Sequence, residues 1–175
     1  MNQISSKQFR ILAVTPSTRG LGFVVMEGEK TIIECATRVA DGNEKDKNAQ
    51  SVTKLKKLLD SYQPGVVVLQ DMEAKGSRRA PRIKKLNRQI KAVAEKRKIQ
   101  VKLISGTQMR NVLLGNPKGT KQEMAEMLAA QFPDELASRL PPKRKAWDSE
   151  DDRMDIFDAV ALAVALRLKQ AKRQI

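Results

Sequence analysis

Three consecutive strand-like segments near the start of the chain limit its fold more than any other feature. The segments Phe9–Thr15, Leu21–Met26 and Thr31–Val39 are rich in apolar and β-branched residues. Short turns separate them, and each turn contains a glycine. Connections this short join antiparallel neighbours, because parallel strands need a crossover of a dozen or more residues. The opening third of the chain therefore predicts three antiparallel strands linked as hairpins.

The middle of the chain alternates between helix and strand patterns. Residues 41–48 are polar and are interpreted as a loop, and Ala49–Tyr62 has apolar residues at helical spacing. The continuous apolar run Val66–Leu69 is typical of a buried central strand. A long helix is predicted to begin at Pro81, since proline suits the first helical turn, and a fifth strand covers Val101–Ile104.

Three more helices are predicted after the fifth strand. Ser105 and Thr120 each have a Gln or Glu three residues later, which is the capping-box pattern of a helix start. After a polar loop, the last helix is predicted to begin at Asp151 or Asp152. The element order predicts an α/β fold in which one domain spans all 175 residues. Its mixed five-stranded sheet has three antiparallel strands followed by parallel βα units, with helices on both faces.

Positive charge is concentrated in one region of the sequence. The net charge is +14, and the segment from Lys75 to Lys98 holds eleven Lys or Arg residues and a single acid, Glu95. Such a field favours polyanions, whereas a charge that served only solubility would mix signs along the helix. The residues predicted to contact nucleic-acid phosphates are Lys75, Arg78, Arg79, Arg82, Lys85, Arg88, Lys143, Arg144 and Lys145.

The composition excludes several kinds of chemistry. The sequence has no histidine, which rules out Ser-His and Cys-His triads and any histidine general base. Its one cysteine, Cys35, cannot form an internal disulfide, so a reducing compartment is expected. Residues 1–10 lack the apolar core of a secretory signal, and no apolar run reaches the length of a membrane span. We therefore expect a cytoplasmic protein without membrane partners.

Acidic residues gather at the start of the last predicted helix. Asp155 and Asp158 are three residues apart and share one helical face, and Asp151 lies one turn earlier on the same stripe. Carboxylates in this arrangement suit Mg²⁺ or Mn²⁺. The alternative is that acids in a first helical turn only complement the helix dipole.

Four motifs together resemble one protein family. They are ILAVTPSTRGLGFVV (Ile11–Val25), VVVLQD (Val66–Asp71), AKGSRRAPRIKKL (Ala74–Leu86) and DIFDAVALA (Asp155–Ala163). In order and spacing they resemble the RuvC group of Holliday-junction resolvases, in the ribonuclease H-like superfamily. The resemblance spans nearly the whole chain, and the Asp155–Ala163 match is the strongest.

The resemblance implies a two-metal nuclease, and the sequence departs from it at two positions. The family uses four carboxylates, one after the first strand, one after the fourth and two on the last helix. The last two correspond to Asp155 and Asp158, whereas Thr15 and Gln70 stand where the first two are expected. Because neutral oxygens cannot offset the charge of two close divalent cations, we expect a degenerate site. At most, one Mg²⁺ or Mn²⁺ would bind weakly at Asp155 and Asp158.

Nearby acids offer an alternative ligand set. Asp71 follows Gln70, but neighbouring strand residues point to opposite faces, so it would serve only where the strand ends or bulges. Asp151 would reach in from the last helix. The candidate catalytic residues are therefore Asp155, Asp158, Asp151 and Asp71.

Trp147 lies in a polar loop beside the basic segment Lys143–Lys145 and has two interpretations. It stacks on an unpaired base, or it covers part of the hydrophobic core. Aromatic residues make up only 3% of the chain, which disfavours serial base stacking on single strands.

Three functions remain open at this point. The first is a RuvC-like protein that binds branched or structured DNA through a degenerate site. The second is an active Mg²⁺- or Mn²⁺-dependent junction endonuclease with a shifted acid set, and the third is an RNA-binding protein of the same fold. Because junction resolvases act on symmetric substrates, the resemblance also implies a homodimer.

Overall fold

A computed structural model describes residues 10–173 of the chain. Five strands form one sheet in the order β3-β2-β1-β4-β5. The pairs β1–β2 and β2–β3 are antiparallel, whereas β1–β4 and β4–β5 are parallel. The strands are β1 (Arg10–Pro16), β2 (Gly20–Glu27), β3 (Thr31–Val39), β4 (Val66–Gln70) and β5 (Gln100–Ile104).

Six helices cover the two faces of this sheet. They are α1 (Glu44–Tyr62), α2 (Pro81–Lys96), α3 (Gly106–Leu114), α4 (Lys121–Gln131), the short α5 (Pro133–Leu136) and α6 (Met154–Arg173). The core between α1, α2 and the sheet is separate from the core formed by α3, α4, α5 and α6 on the other face. The predicted α/β fold with a mixed five-stranded sheet and helices on both faces is confirmed.

The helix boundaries differ from the prediction at two places. Helix α1 begins at Glu44, so most of the stretch predicted as a loop is helical, because the Asn43 side chain accepts a hydrogen bond from the backbone N–H of Asp46 and caps the helix. Helix α6 begins at Met154, later than predicted. The short helix α5 and the 3₁₀ turn after it were not predicted. Phe9, the predicted start of the first strand, lies outside the described residues.

The alternation of side chains along β1 and β4 determines what faces α6. Ile11 and Ala13 point into the core on the α6 side, whereas Leu12 and Val14 point toward α1 and α2. Thr15 continues the first set because side chains alternate along a strand. On β4, Val68 belongs to the α6 side, and Gln70 follows it at the same parity. The two positions where the resemblance implies acids therefore face α6.

Helix α6 is the central helix of the fold. All its residues from Met154 to Leu166 are buried, including both aspartates of its first two turns. An apolar helix of this kind is fixed by packing on every side, so the two aspartates are held in place by the core beneath them. Among residues 10–173, no helix combines the length and apolar character of a membrane span.

Candidate functional site

The site lies where the carboxyl ends of β1 and β4 meet the beginning of α6. Ligand sites in open α/β sheets form at the carboxyl ends of the strands. Thr15 near the end of β1, Gln70 at the end of β4, and Asp155 and Asp158 on α6 are brought to this end of the sheet. Thr15, Asp155 and Asp158 are all buried, and Gln70 is half-buried.

Gly22 allows β2 to lie directly against the first turn of α6. It pairs with Thr15 across the β1–β2 ladder. A Cβ atom at Gly22 would lie 2.4 Å from the backbone carbonyl oxygen of Asp155, closer than real Cβ atoms approach. The absent side chain therefore permits the packing that places Asp155 beside the end of β1.

Asp155 is buried with part of its hydrogen-bonding capacity unused. The residue is 8% exposed and is hydrogen-bonded to the Ser17 side chain. Among the described residues, its Oδ2 atom and the Oγ1 atom of Thr15 have no hydrogen-bond partner. Burial raises the pKa of Asp155 to about 6, and the negative charges of Asp158 and Glu150 add to this increase while the Ser17 hydrogen bond opposes it.

Asp158 has a lysine as its charge partner. The Nζ atom of Lys121 lies 3.2 Å from Oδ2 of Asp158 and 2.7 Å from Oε1 of Glu150. Burial raises the pKa of Asp158, and the Lys121 ammonium opposes that increase. Burial by itself would lower the pKa of Lys121, but the two carboxylates raise it above its ordinary value. Lys121 is therefore a stable cation between Asp158 and Glu150.

Gln70 also has a cationic partner. Its Oε1 atom accepts a hydrogen bond of 3.1 Å from the Arg79 guanidinium, and its backbone carbonyl accepts one of 2.9 Å from Asn87 of α2. The positive charge of Arg79 also acts on Asp158 and Lys121. The site therefore holds two buried aspartates, two neutral oxygens and two protein cations.

Solved structures share this architecture. The RuvC structure from Thermus thermophilus superposes with a TM-score of 0.69 at 14% identity, covering 94% of this chain and 96% of that one. The structure of T. thermophilus RuvC in complex with a Holliday-junction substrate superposes with a TM-score of 0.68, and its sequence identity and coverage are the same. The chain has a RuvC-like fold.

A third solved structure has the same RuvC-like fold. The yeast mitochondrial Holliday-junction resolvase Ydc2 gives a TM-score of 0.63 at 16% identity, covering 95% of this chain and 81% of that one. No protein-family model matches the sequence, and no curated protein matches it. The likeness confirms the ribonuclease H-like fold that was predicted from the four motifs.

The residues of this site do not fit a pair of divalent cations. Oxygen ligands are available at Thr15 and Asp155, but Oδ2 of Asp158 already contacts Lys121 and Oε1 of Gln70 already contacts Arg79. Within residues 10–173, no group of three or more carboxylate, histidine or cysteine side chains is arranged to hold a metal ion. Lys121 and Arg79 thus offset part of the charge of Asp155, Asp158 and Glu150, which leaves little negative charge for added metal ions.

The other two candidate acids are held by local contacts. The carboxylate of Asp71 accepts a hydrogen bond of 3.1 Å from the backbone N–H of Glu73, and strand β4 ends without a bulge that would turn it toward α6. The carboxylate of Asp151 accepts hydrogen bonds of 2.8 and 2.7 Å from the Arg153 side chain, and these bonds lower its pKa to about 2. Asp151 also precedes α6, so the expectation that it lies on the same helical stripe as Asp155 is wrong.

The predicted phosphate-binding residues fall into two groups. Lys75, Arg78, Lys85, Lys143, Arg144 and Lys145 are exposed. Arg82 instead donates hydrogen bonds to Asn48 (2.9 Å) and to the backbone carbonyls of Ser17 and Thr18 (3.4 and 3.3 Å). Arg88 is exposed but pairs with Glu73 at 2.7 Å. Arg82 therefore fixes the β1–β2 turn to α2, and Arg79 is half-buried against Gln70. The contact of these two side chains with phosphates stays a prediction.

A cleft beside the two aspartates extends the site. It has a volume of about 1060 Å³ and lies between the beginning of α4 and the loop that precedes α6. Lys121, Lys143, Arg144 and Glu150 are among its lining residues. The cleft thus extends from Lys121, the charge partner of Asp158, to the second basic loop.

Sequence reasoning missed Lys121 and the role of Arg79 inside the site. The capping box at Thr120 places Lys121 at the first position of α4. Nothing in that local pattern indicates that Lys121 meets Asp158 of α6, 37 residues away in sequence. The one sequence signal for the role of Arg79 was that it lies only nine residues after Gln70.

Proposed function

We propose that the protein binds nucleic acid, preferentially branched or structured DNA, through a RuvC-like domain whose metal site is degenerate. The observation that carries the proposal is the composition of the site. Thr15 and Gln70 occupy the positions where the resemblance implies acids, Lys121 contacts Asp158, and Arg79 contacts Gln70. A weak, single Mg²⁺ or Mn²⁺ ion at Asp155 and Asp158 is the most metal binding that this arrangement supports.

The charge around the site supports binding to nucleic acid. Exposed basic side chains lie on the loop after β4, on the first turns of α2 and on the loop before α6. These three segments adjoin the carboxyl ends of β1 and β4. Such a distribution attracts phosphates through counterion release without reading the base sequence.

The scarcity of aromatic residues favours branched DNA over single strands as the ligand. Single-strand binders use serial stacking on aromatic side chains, and aromatic residues make up 3% of this chain. Recognition of backbone and shape suits duplexes and junctions. We also expect a homodimer, since junctions are symmetric; sedimentation equilibrium measures the mass directly.

The proposal predicts binding without cleavage. A labelled four-way junction incubated with the protein and Mn²⁺ should be retarded but uncut in a native gel, and Asp155→Asn should behave in the same way. The reason is that two buried carboxylates, one of them already paired with Lys121, cannot neutralise two divalent ions. Denaturing gels of the same reactions measure nicks directly.

Competition between nucleic acids separates the remaining functions. Duplex DNA and duplex RNA of matched length should compete more weakly than the junction at equal ionic strength. Paired nicks that vanish in Asp155→Asn would establish the active endonuclease instead. Tighter binding to duplex RNA, which is recognised by its minor-groove shape and 2′-hydroxyls, would establish the RNA-binding function.

Trp147 gives a second prediction about binding. It is 80% exposed, so the interpretation that it covers the core is wrong, and the Lys145 ammonium lies 5.5 Å from its ring. Stacking on an unpaired base contributes roughly 1–3 kcal/mol. Trp147→Ala should therefore weaken binding to a junction with unpaired bases about tenfold, whereas Trp147→Phe should keep most of the affinity.

The fluorescence of Trp147 tests the same point directly. It is the single tryptophan of the chain, so the signal reports only this position. Stacking predicts quenching on binding a junction with unpaired bases and much less quenching with a fully paired duplex. Equal quenching by both, together with unchanged affinity in Trp147→Ala, would contradict base stacking.

A further inference from the structure

We infer that the outer face of α2 binds the backbone of one duplex arm as that arm leaves the site. The inference rests on the proposed function, and it adds a binding surface that is separate from the buried aspartates. This surface, which we call the basic face of α2, consists of side chains on the helix and on the two residues after it. They are Lys84, Lys85, Arg88, Lys91, Lys96, Arg97 and Lys98.

The basic face of α2 runs the length of the sheet. Asn87, in the second turn of α2, donates a hydrogen bond of 2.9 Å to the Gln70 carbonyl, so the helix begins beside the site. Gln100, which follows the helix, pairs with Val66 at the start of β4. The helix thus extends from the carboxyl end of the sheet to its amino end. Its 16 residues span about 24 Å, which is the length of about seven base pairs of duplex DNA.

Most of the positive charge on this face is available to a ligand. Three of its side chains form ion pairs: Arg88 with Glu73 at 2.7 Å, Lys91 with Glu95 at 3.8 Å and Arg97 with Asp60 at 2.6 Å. Exposed pairs of this kind contribute little to stability, so phosphates can replace the acids. Within the described part of the chain, no ion pair forms at the other four, which are Lys84, Lys85, Lys96 and Lys98.

The beginning of α2 carries positive charge against its own stability. The N-terminus of a helix is the positive end of the helix dipole, where acids stabilise the helix and cations do not. The first turn of α2 has no acid, and Ala80 supplies no side-chain cap. Lys84 and Lys85 nevertheless lie in this turn and directly after it. Helix stability therefore does not explain these two cations.

The end of α2 has a lysine where glycine is favoured. Lys98 has a φ of 59°, in the left-handed region that side chains rarely adopt. The backbone N–H groups of Lys98 and Ile99 donate hydrogen bonds of 2.9 and 3.0 Å to the carbonyls of Glu95 and Ala94, so this conformation closes the helix. Glycine would adopt it without strain, but it would remove the charge. Charge that is kept at a cost to stability at both ends of one helix points to an anionic ligand.

The spacing of the charges fits the backbone of a duplex. The basic side chains along the helix recur about every three or four residues, which is about 5–6 Å along its axis. Duplex DNA has one phosphate per about 1.7 Å of its axis, so a straight helix that lies along it has a phosphate within reach of each cation. Helix α2 has no aromatic residue on which an unpaired base could stack. The basic face of α2 therefore suits contact with backbone rather than with bases.

The first test compares two double variants by fluorescence anisotropy with a labelled four-way junction whose arms have about 15 base pairs. Lys96→Gln/Lys98→Gln removes two charges at the far end of the basic face. It should weaken binding at least about tenfold near 0.1 M salt and lower the slope of log K against log salt by about 2, because two phosphate contacts are lost. Lys30→Gln/Lys172→Gln removes the same charge at exposed positions away from α2 and should bind within about twofold of the wild type.

A cleavage map locates the arm on the protein. Lys98→Cys, in a Cys35→Ser background, is labelled with an iron chelate that generates hydroxyl radicals. Cuts should centre about seven base pairs from the branch, because that is the length of α2. The same chelate at Lys30→Cys should give no localised cuts. Cuts from Lys98→Cys that spread evenly over the arms would overturn the inference.

Lys98→Gly separates a charge that serves binding from one that serves folding. Its Tm should rise by about 2 °C, because glycine relieves the left-handed backbone. Its affinity for the junction should fall about fivefold, because one phosphate contact is lost. A higher Tm with unchanged affinity would mean that Lys98 makes no contact with nucleic acid, which would overturn the inference.

Failure of the inference is distinguishable from failure of the proposed function. If Lys96→Gln/Lys98→Gln binds the junction as tightly as the wild type does, α2 makes no such contact and the proposed function stands. If the wild type binds no nucleic acid, the proposed function itself is overturned.

Discussion

Asp155→Asn is expected to raise the free energy of unfolding at pH 8 by about 2–3 kcal/mol. Burial raises the pKa of Asp155 from the model-compound value of 3.8 to about 6, so the ionised form is penalised in the folded state. Each unit of pKa difference corresponds to about 1.4 kcal/mol, and a difference of about two units gives about 3 kcal/mol. The amide oxygen of asparagine can still accept the Ser17 hydrogen bond, but a neutral acceptor makes a weaker bond than a carboxylate, which reduces the gain somewhat.

The gain should depend on pH in a defined direction. The folded-state pKa of Asp155 is higher than the unfolded value, so folding is favoured by proton uptake. This contribution is fully present below about pH 4 and is lost as the pH rises through about 6. The increase in the free energy of unfolding of Asp155→Asn over the wild type should therefore reach its full value above pH 7 and should fall toward zero near pH 4.

Urea unfolding of both proteins from pH 4 to pH 8 measures this difference. Asp41→Asn, which alters an exposed loop carboxylate, is the matched control and should stay within about 0.5 kcal/mol of the wild type throughout. Two results would contradict the claim that burial destabilises the ionised Asp155. One is that Asp155→Asn is less stable than the wild type at pH 8, and the other is that the difference in the free energy of unfolding does not change with pH.

A stabilising substitution at Asp155 also bears on function. Residues kept at a cost to stability are commonly those that a site uses. The same variant serves as the cleavage control, and its expected stability means that a loss of nicking could not be attributed to misfolding. The buried Asp155 is therefore informative in both experiments.

The architecture could be predicted because it depends on periodic patterns. The continuous apolar runs of β1 and β4 are typical of strands that are buried on both faces of a sheet. The strand bounds, together with the resemblance, predicted Thr15 and Gln70 at the ends of the first and fourth strands, and the structure has them near the end of β1 and at the end of β4. The start of α1 was missed because its first turns are polar, and only the Asn43 cap marks the boundary.

The partners of the site residues could not be predicted in the same way. Lys121 meets Asp158 only because α4 and α6 pack together. Arg82 has the sequence context of a phosphate-binding residue, yet it bonds Asn48 and the β1–β2 turn. Long-range contacts of flexible side chains leave no periodic trace in the sequence. The structural contacts of a basic side chain must therefore be known before it is assigned a role in nucleic-acid binding.

Reversing the charge of two exposed basic residues should abolish most junction binding. Arg78 lies on the loop after β4 and Lys85 on the second turn of α2, and both side chains are exposed beside the site. Each phosphate contact contributes about 0.9 to the slope of log K against log salt. Arg78→Glu/Lys85→Glu should therefore weaken junction binding about 100-fold near 0.1 M salt and lower the slope by about 2.

The matched control makes the same change in net charge at the opposite end of the molecule. Lys30 lies in the β2–β3 turn and Lys172 in the last turn of α6, and both are exposed. Because the Debye length is about 10 Å at 0.1 M salt, Lys30→Glu/Lys172→Glu should weaken binding less than about fivefold and leave the slope unchanged. Fluorescence anisotropy with a labelled four-way junction at four salt concentrations gives both quantities. Equal losses in the two variants would mean that net charge alone drives association, and the surface beside Asp155 would then have no special part in binding.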